Sequence, residues 1–62
     1  MEKEFFTIEE TANKLSVSVW TIRRWIRERK IDYVKIEGSI RIPAIAIERK
    51  ISESFVKSIP DR

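Results

Sequence analysis

The sequence predicts a mainly α-helical domain that also contains one β-hairpin. Two patterns carry this prediction. Apolar residues recur at three- and four-residue spacing before residue 30 and after residue 43, which is typical of amphipathic helices. Between residues 33 and 42, apolar and polar residues alternate around the only glycine of the chain, which is typical of a hairpin. With 62 residues, the chain is expected to form a single domain spanning residues 1–62.

The composition excludes several classes of function. Cysteine and histidine are both absent, so disulfides, zinc sites and histidine acid–base catalysis are not expected. A single glycine does not build a Gly-rich phosphate loop, and no apolar run approaches the ~18–20 residues of a membrane span. No signal-peptide pattern opens the chain. We therefore expect a cytoplasmic binding protein that is not an enzyme, with no cofactor, metal or small-molecule substrate.

The first helix is predicted at about residues 7–15. Thr7 and Glu10 have the spacing of a capping box, in which each side chain accepts a hydrogen bond from the backbone amide of the other residue. Downstream, one helical face is formed by Ile8, Thr11, Ala12 and Leu15. The helix is expected to end near Leu15, where a short break begins.

A second helix is predicted at about residues 18–29, with Ser18 as its N-cap. At 100° per residue, one side of this helix is apolar and the other carries an aromatic ring and three guanidinium groups. The apolar side holds Ile22, Trp25 and Ile26, and the opposite side holds Trp20, Arg23, Arg24 and Arg27. Arg29 would fall on the apolar side of a regular helix, so we expect the helix to end near Glu28 or Arg29.

The hairpin is predicted at about residues 33–42 with a three-residue loop, Glu37–Ser39. This register pairs Ile36 with Ile40 and Val34 with Ile42, which keeps one face of the hairpin apolar. It also places Lys35 opposite Arg41 on the other face, where a phosphate between them would relieve the repulsion.

A third helix is predicted at about residues 44–58, with Pro43 in its first turn and Pro60 beyond its end. Apolar residues recur along it every four positions, at Ile47, Ile51, Phe55 and Ile59. The last three either pack on the domain or present an apolar surface to a partner. Elsewhere, the residues predicted to form the core are Leu15, Ile22, Trp25, Ile26, Val34, Ile40 and Ile42.

The net charge of +3 is unevenly distributed. Residues 23–41 carry seven basic and three acidic groups, a net charge of +4, whereas residues 1–22 have a net charge of −2. A basic middle segment indicates a local anionic partner.

The order of the elements and several residues together resemble a known family. Five segments carry the resemblance, and they are Phe6–Glu10, Val17-Ser18, Thr21-Ile22, Arg24–Glu28 and Gly38…Arg41-Ile42-Pro43. These segments are similar to the excisionase family of DNA-binding domains, which is related to MerR-type proteins. The resemblance covers about Phe5 to Ile51. It implies a winged helix-turn-helix, in which the second helix enters the major groove of DNA and the hairpin, the wing, lies on the backbone. Ser16 and Arg29 stand where this family usually has glycine.

This resemblance and the charged face of the second helix predict a protein that binds double-stranded DNA with sequence preference. The residues expected to contact DNA are Ser18, Trp20, Thr21, Arg23, Arg24, Arg27, Lys35, Ser39 and Arg41. Packing of Trp20 on the protein is an equal alternative to its DNA contact. The family implies a role in recombination directionality, beside an integrase or through self-association on DNA, or in transcription regulation. The alternatives are the DNA-binding module of a mobile-element recombinase and a protein–protein adaptor or antirepressor that uses Ile51, Phe55 and Ile59.

Overall fold

The computed structural model describes residues 4–55 as three helices and a three-stranded antiparallel sheet, a winged helix-turn-helix. The strands lie in the order β1-β3-β2, so the central strand of the sheet is β3. In chain order the elements are β1 (Phe5–Phe6), α1 (Ile8–Leu15), α2 (Val19–Arg27), β2 (Val34–Ile36), β3 (Ser39–Pro43) and α3 (Ala44–Ser54).

Helix α1 begins at the predicted capping box. The Thr7 amide donates to the Glu10 carboxylate at 2.9 Å, and the Glu10 amide donates to the Thr7 hydroxyl at 3.0 Å. One turn later, the fully buried Thr11 donates its hydroxyl proton to the Thr7 carbonyl at 2.8 Å. The local sequence therefore defines both the start of this helix and the side that it turns toward the core.

Both α1 and α2 end at a non-glycine residue with a left-handed backbone. Ser16 has φ of 58°, and Arg29, two residues after the end of α2, has φ of 60°. At the end of α1, the amides of Ser16 and Val17 donate to the carbonyls of Asn13 and Ala12, which is the Schellman pattern of bonds. The amides of Arg29 and Lys30 make the equivalent bonds after α2. Ser16 and Arg29 are the two positions at which the family that the sequence resembles usually has glycine. A side chain in this left-handed conformation lowers the folding stability by on the order of 1 kcal/mol.

Replacing Ser16 with glycine is expected to stabilise the protein by roughly 0.5–1 kcal/mol, because relief of the left-handed strain exceeds the added entropy of the unfolded chain. For a domain of this size, that gain corresponds to a rise in Tm of about 2–8 °C, measured by thermal unfolding followed by circular dichroism. Asn13→Gly, in the exposed interior of α1, is the matched control and is expected to destabilise slightly, by about 0.3 kcal/mol, because asparagine is itself a poor helix former. A fall in Tm for Ser16→Gly would contradict the strain argument.

The predicted register of the hairpin is wrong. The observed partners are Val34 with Arg41, Lys35 with Ile40, and Ile36 with Ser39, so the loop contains only two residues, Glu37 and Gly38. Both have positive φ, 51° and 83°, which is the conformation of a type I′ turn. This turn matches the twist of paired strands and therefore determines the register.

The observed register changes which side chains share a face. Residues directly opposite each other in an antiparallel pair lie on the same side of the sheet. Arg41 therefore shares a face with Val34, while Lys35 lies on the other face with Ile40. Val34 was expected in the core, but it is 36% exposed, because the observed register places it on the face opposite to Ile40, which packs against the core. The predicted pairing of Lys35 with Arg41 is wrong for the same reason.

Strand β1 was not predicted from the sequence. Phe5 pairs with Pro43 and Phe6 with Ile42, and the Ala44 amide donates to the Glu4 carbonyl at 2.8 Å. This pairing places the start of α1 beside the wing. Pro43 is the last residue of β3 and the N-cap of α3, one position before the first helical turn in which it was predicted.

Helix α3 ends at Ser54 and not near residue 58 as predicted. The backbone of Phe55 is extended, with φ of −68° and ψ of 122°. Phe55 is 71% exposed and Ile51 is 48% exposed, whereas Ile47 is buried. Ile59, the last residue of the predicted stripe, lies outside the described residues.

The core lies where the helices meet β3. The described residues that are buried are Thr11, Ala12, Ile22, Ile31, Ile42, Ala46 and Ile47. Four of them, Ile31, Ile42, Ala46 and Ile47, form one cluster. The partly buried side chains that pack against this cluster are Phe6, Leu15, Trp25, Ile26 and Ile40. The core predictions for Ile22 and Ile42 are confirmed, while Ile31 and Ala46 were missed. Within residues 4–55, no helix has the length and apolar character needed to cross a membrane.

Candidate nucleic-acid interface

One side of α2 presents the aromatic ring and the guanidinium groups that the sequence places together. Trp20 is 62% exposed, and Arg23 and Arg27 are also exposed. The opposite side of the helix is anchored by Ile22, which is fully buried. The amphipathic pattern therefore turns this face outward, and Trp20 does not pack into the body of the domain.

Trp20 and Arg24, one helical turn apart, form a stacked pair. The guanidinium carbon of Arg24 lies 5.3 Å from the centroid of the Trp20 ring, a cation–π distance. The Arg24 side chain is half-buried, and its Nε is shielded from solvent without a hydrogen-bond partner. External contacts of this guanidinium are therefore left to its two terminal nitrogens.

The start of α2 carries two linked hydroxyl groups. Ser18 accepts the Thr21 amide at 3.1 Å as the helix N-cap, and its Oγ lies 2.9 Å from Thr21 Oγ1. Whichever hydroxyl donates to the other, the pair keeps one O–H donor for a further acceptor. The positive end of the helix dipole and the orphan amides of the first turn lie at the same place, a combination that favours an anion.

The wing and α2 meet at an open groove of about 320 Å³. Arg23 reaches this groove from α2, and Ser39 and Arg41 reach it from β3. Arg41 donates from Nη1 to the Ile40 carbonyl at 2.9 Å, which holds its guanidinium close to the strand. The fold thus brings together a helix arginine and two wing residues that are 16–18 positions apart in the sequence.

Lys35 is not part of this groove. It is exposed on the face of the hairpin opposite to Arg41, so the expected clamp of the two cations around one phosphate does not form.

The contribution of α1 to the groove was not predicted from the sequence. Thr7, Ile8 and Glu9 line its third side. No local pattern indicates this, because the contact depends on the pairing of β1 with β3. Glu9 brings a carboxylate to the edge of a largely cationic surface, which disfavours a polyanion at that point.

A second, apolar groove of about 420 Å³ lies between the turn after α1 and the end of α3. Ile51 and Phe55, two of the predicted partner-binding residues, line it together with Leu15, Val17 and Trp25. Its polar edge includes Lys50, whose ammonium lies 4.6 Å from the centroid of the Trp25 ring. The third predicted residue, Ile59, lies outside the described part of the chain.

Taken together, the α2 face and the wing groove offer guanidinium groups, hydroxyls and one exposed aromatic ring on a single connected surface. This chemistry suits an extended anion with flat edges, since guanidinium groups bind both phosphate oxygens and base edges. Among residues 4–55, no group of carboxylates is placed to hold a metal ion.

The match to known families agrees with this geometry. A family model described as a helix-turn-helix domain matches residues 5–54, from the start of β1 to the end of α3. The model represents an excisionase-type family of DNA-binding domains. Among curated proteins and solved structures, none matches the chain at a significant level.

Proposed function

Because the chain belongs to this helix-turn-helix family and is a DNA-binding protein, we propose that it reads a preferred duplex sequence with α2 in the major groove and the wing on the adjacent backbone. The observation that carries the proposal is the convergence of Arg23 with Ser39 and Arg41 at one groove beside the exposed face of α2. A helix and a wing that share one surface can follow two neighbouring parts of a single duplex.

In this arrangement the contacts divide by chemistry. The side chains on the outer face of α2 enter the major groove, where they meet base edges or the phosphates that flank it, and they are Trp20, Arg23, Arg24 and Arg27. The hydroxyl pair of Ser18 and Thr21 donates to a phosphate at the start of the helix. Ser39 and Arg41 hold the backbone from one face of the wing, and Lys35 reaches a separate phosphate from its other face.

The biological role that fits such a module is excisionase-like control of recombination directionality, or MerR-like transcription regulation. In either role the protein acts by binding, without catalysis, in the cytoplasm at the nucleoid. An integrase or recombinase, or a second copy of the chain on DNA, is the partner proposed for the directionality role. The alternative role is that of the DNA-binding module of a mobile-element recombinase. This role depends on the same contacts with DNA.

A salt series on duplex DNA tests the proposal. If about four cationic side chains replace counterions on phosphates, log affinity should fall against log salt concentration with a slope of roughly −4. The measurement is fluorescence anisotropy of a labelled duplex across a range of salt concentrations, with single-stranded DNA of the same composition as the control. Absence of binding at low salt, or binding that salt leaves unchanged, would contradict it.

A second candidate, a protein–protein adaptor or antirepressor, is supported by the apolar groove and by the exposure of Phe55. An adaptor would associate through this surface without DNA. The same salt series separates the two functions, because an adaptor gives no salt-dependent binding of the duplex. Sedimentation of the wild-type protein and of Phe55→Asp then reports whether copies associate through Phe55.

A further inference from the structure

We propose that Trp20 and Arg24 act as one reading unit that selects a thymine next to a guanine in adjacent base pairs. This inference rests on the proposed function, because it names the bases that α2 recognises once it lies in the major groove. The side chains that carry it are the most exposed aromatic ring of α2 and the half-buried guanidinium stacked on it.

The position of Trp20 suits contact with a base edge. It is the second residue of α2, and the N-terminal residues of a recognition helix are the ones that meet base edges. Its ring is 62% exposed, which leaves a large apolar surface in water. Within the major groove the apolar group displayed on the base edges is the C5-methyl of thymine. Burying the ring against that methyl group removes apolar surface of both partners from water.

The environment of Arg24 suits guanine. Stacking on Trp20 and burial of Nε restrict the guanidinium before any ligand binds. The two terminal nitrogens remain to donate, and guanine O6 and N7 accept two parallel hydrogen bonds from such a pair. Because the side chain is already ordered, little rotamer freedom is lost on binding.

The distance between the two groups links their targets. The guanidinium carbon lies 5.3 Å from the centroid of the Trp20 ring. Neighbouring base pairs are separated by about 3.4 Å along the duplex. Two side-chain groups at this separation can therefore reach the edges of adjacent base pairs. The unit consequently reads a two-base-pair step that contains one thymine and one guanine.

Replacing that thymine with deoxyuridine tests the inference, because the change removes the methyl group and leaves the pairing intact. A bound duplex is first selected from a pool with a random central segment, and anisotropy then compares the thymine and deoxyuridine forms. For the wild-type protein we expect about fourfold weaker binding of the deoxyuridine form, the effect of one buried methyl group. Trp20→Ala should bind both forms equally, and deoxyuridine outside the step should have no effect. Arg24→Lys should lose about tenfold in affinity for the guanine-containing step.

The outcomes separate the inference from the proposed function. Salt-dependent binding that is equal for the thymine and deoxyuridine duplexes overturns the reading unit and leaves DNA binding in place. Equal methyl sensitivity in wild-type protein and Trp20→Ala also overturns it, since another residue then contacts the methyl group. Failure to bind any duplex at low salt overturns the proposed function itself.

Discussion

Ile42→Ala is expected to leave a large fraction of the protein unfolded at 25 °C. The Ile42 side chain is fully buried on the central strand, opposite Phe6 and in one cluster with Ile31 and Ile47. Truncation of a buried isoleucine to alanine costs about 2–5 kcal/mol, through lost burial and the cavity that remains. A single core of this size rarely provides more than ~3–5 kcal/mol in total. The loss is therefore comparable to the whole stability of the domain.

Ile45 provides a matched control for this prediction. It is the same residue type three positions further along the chain, but it is 63% exposed on α3. Ile45→Ala should change the free energy of unfolding by no more than about 0.5 kcal/mol. Urea unfolding followed by circular dichroism compares the two variants with the wild-type protein. Similar midpoints for Ile42→Ala and Ile45→Ala would show that β3 is not the centre of the core.

The first two helices and their termini were predictable because short-range chemistry determines them. The capping box of Thr7 and Glu10, the N-cap of Ser18 and the end of α2 before Arg29 each involve residues within one or two turns of each other. The outward face of α2 follows from the buried Ile22 by helical periodicity alone. The same periodicity identified the exposed residues of that face, Trp20, Arg23 and Arg27, from the sequence.

The sheet was less predictable because its contacts are not local. The alternation of Val34, Lys35 and Ile36 is compatible with several registers. Burial of one apolar face would select a single register, but all three residues of β2 are exposed. The loop conformation of Glu37 and Gly38 determines the register instead. Strand β1 is only two residues long and exists through its pairing with β3, so no pattern in its own sequence could predict it.

The same distinction applies to the candidate interface. The α2 contribution was predicted, whereas the groove that Arg23 shares with Arg41 and the start of α1 depends on the sheet. The predicted opposition of Lys35 and Arg41 was wrong because it depended on the register. Arg41 and Lys35 are therefore proposed to contact separate phosphates from the two faces of the wing. The α2 face is the part of the interface that local sequence patterns determine most directly.

Removing two guanidinium groups from that helix should have the largest effect on DNA binding. Arg23 and Arg27 are exposed, lie one turn apart, and are free of the stacking that restrains Arg24. Loss of each contact costs about 1–3 kcal/mol, so the double variant Arg23→Ala/Arg27→Ala is expected to bind at least about 30-fold more weakly. If both residues meet phosphates, the salt slope should also become shallower by about 2. Stability should be nearly unchanged, since both side chains are in solvent.

The double variant Lys30→Ala/Arg49→Ala is the matched control, because it removes the same net charge from another surface. Both side chains are held in exposed ion pairs, Lys30 with Glu28 at 3.2 Å and Arg49 with Asp32 at 2.7 Å. Such pairs contribute about 0–1 kcal/mol to stability, so this control should fold. Only the long-range attraction of DNA is lost in it, and salt screens that attraction over about 10 Å at 0.1 M. A comparable loss of affinity in both double variants would therefore assign DNA binding to overall charge and not to the face of α2.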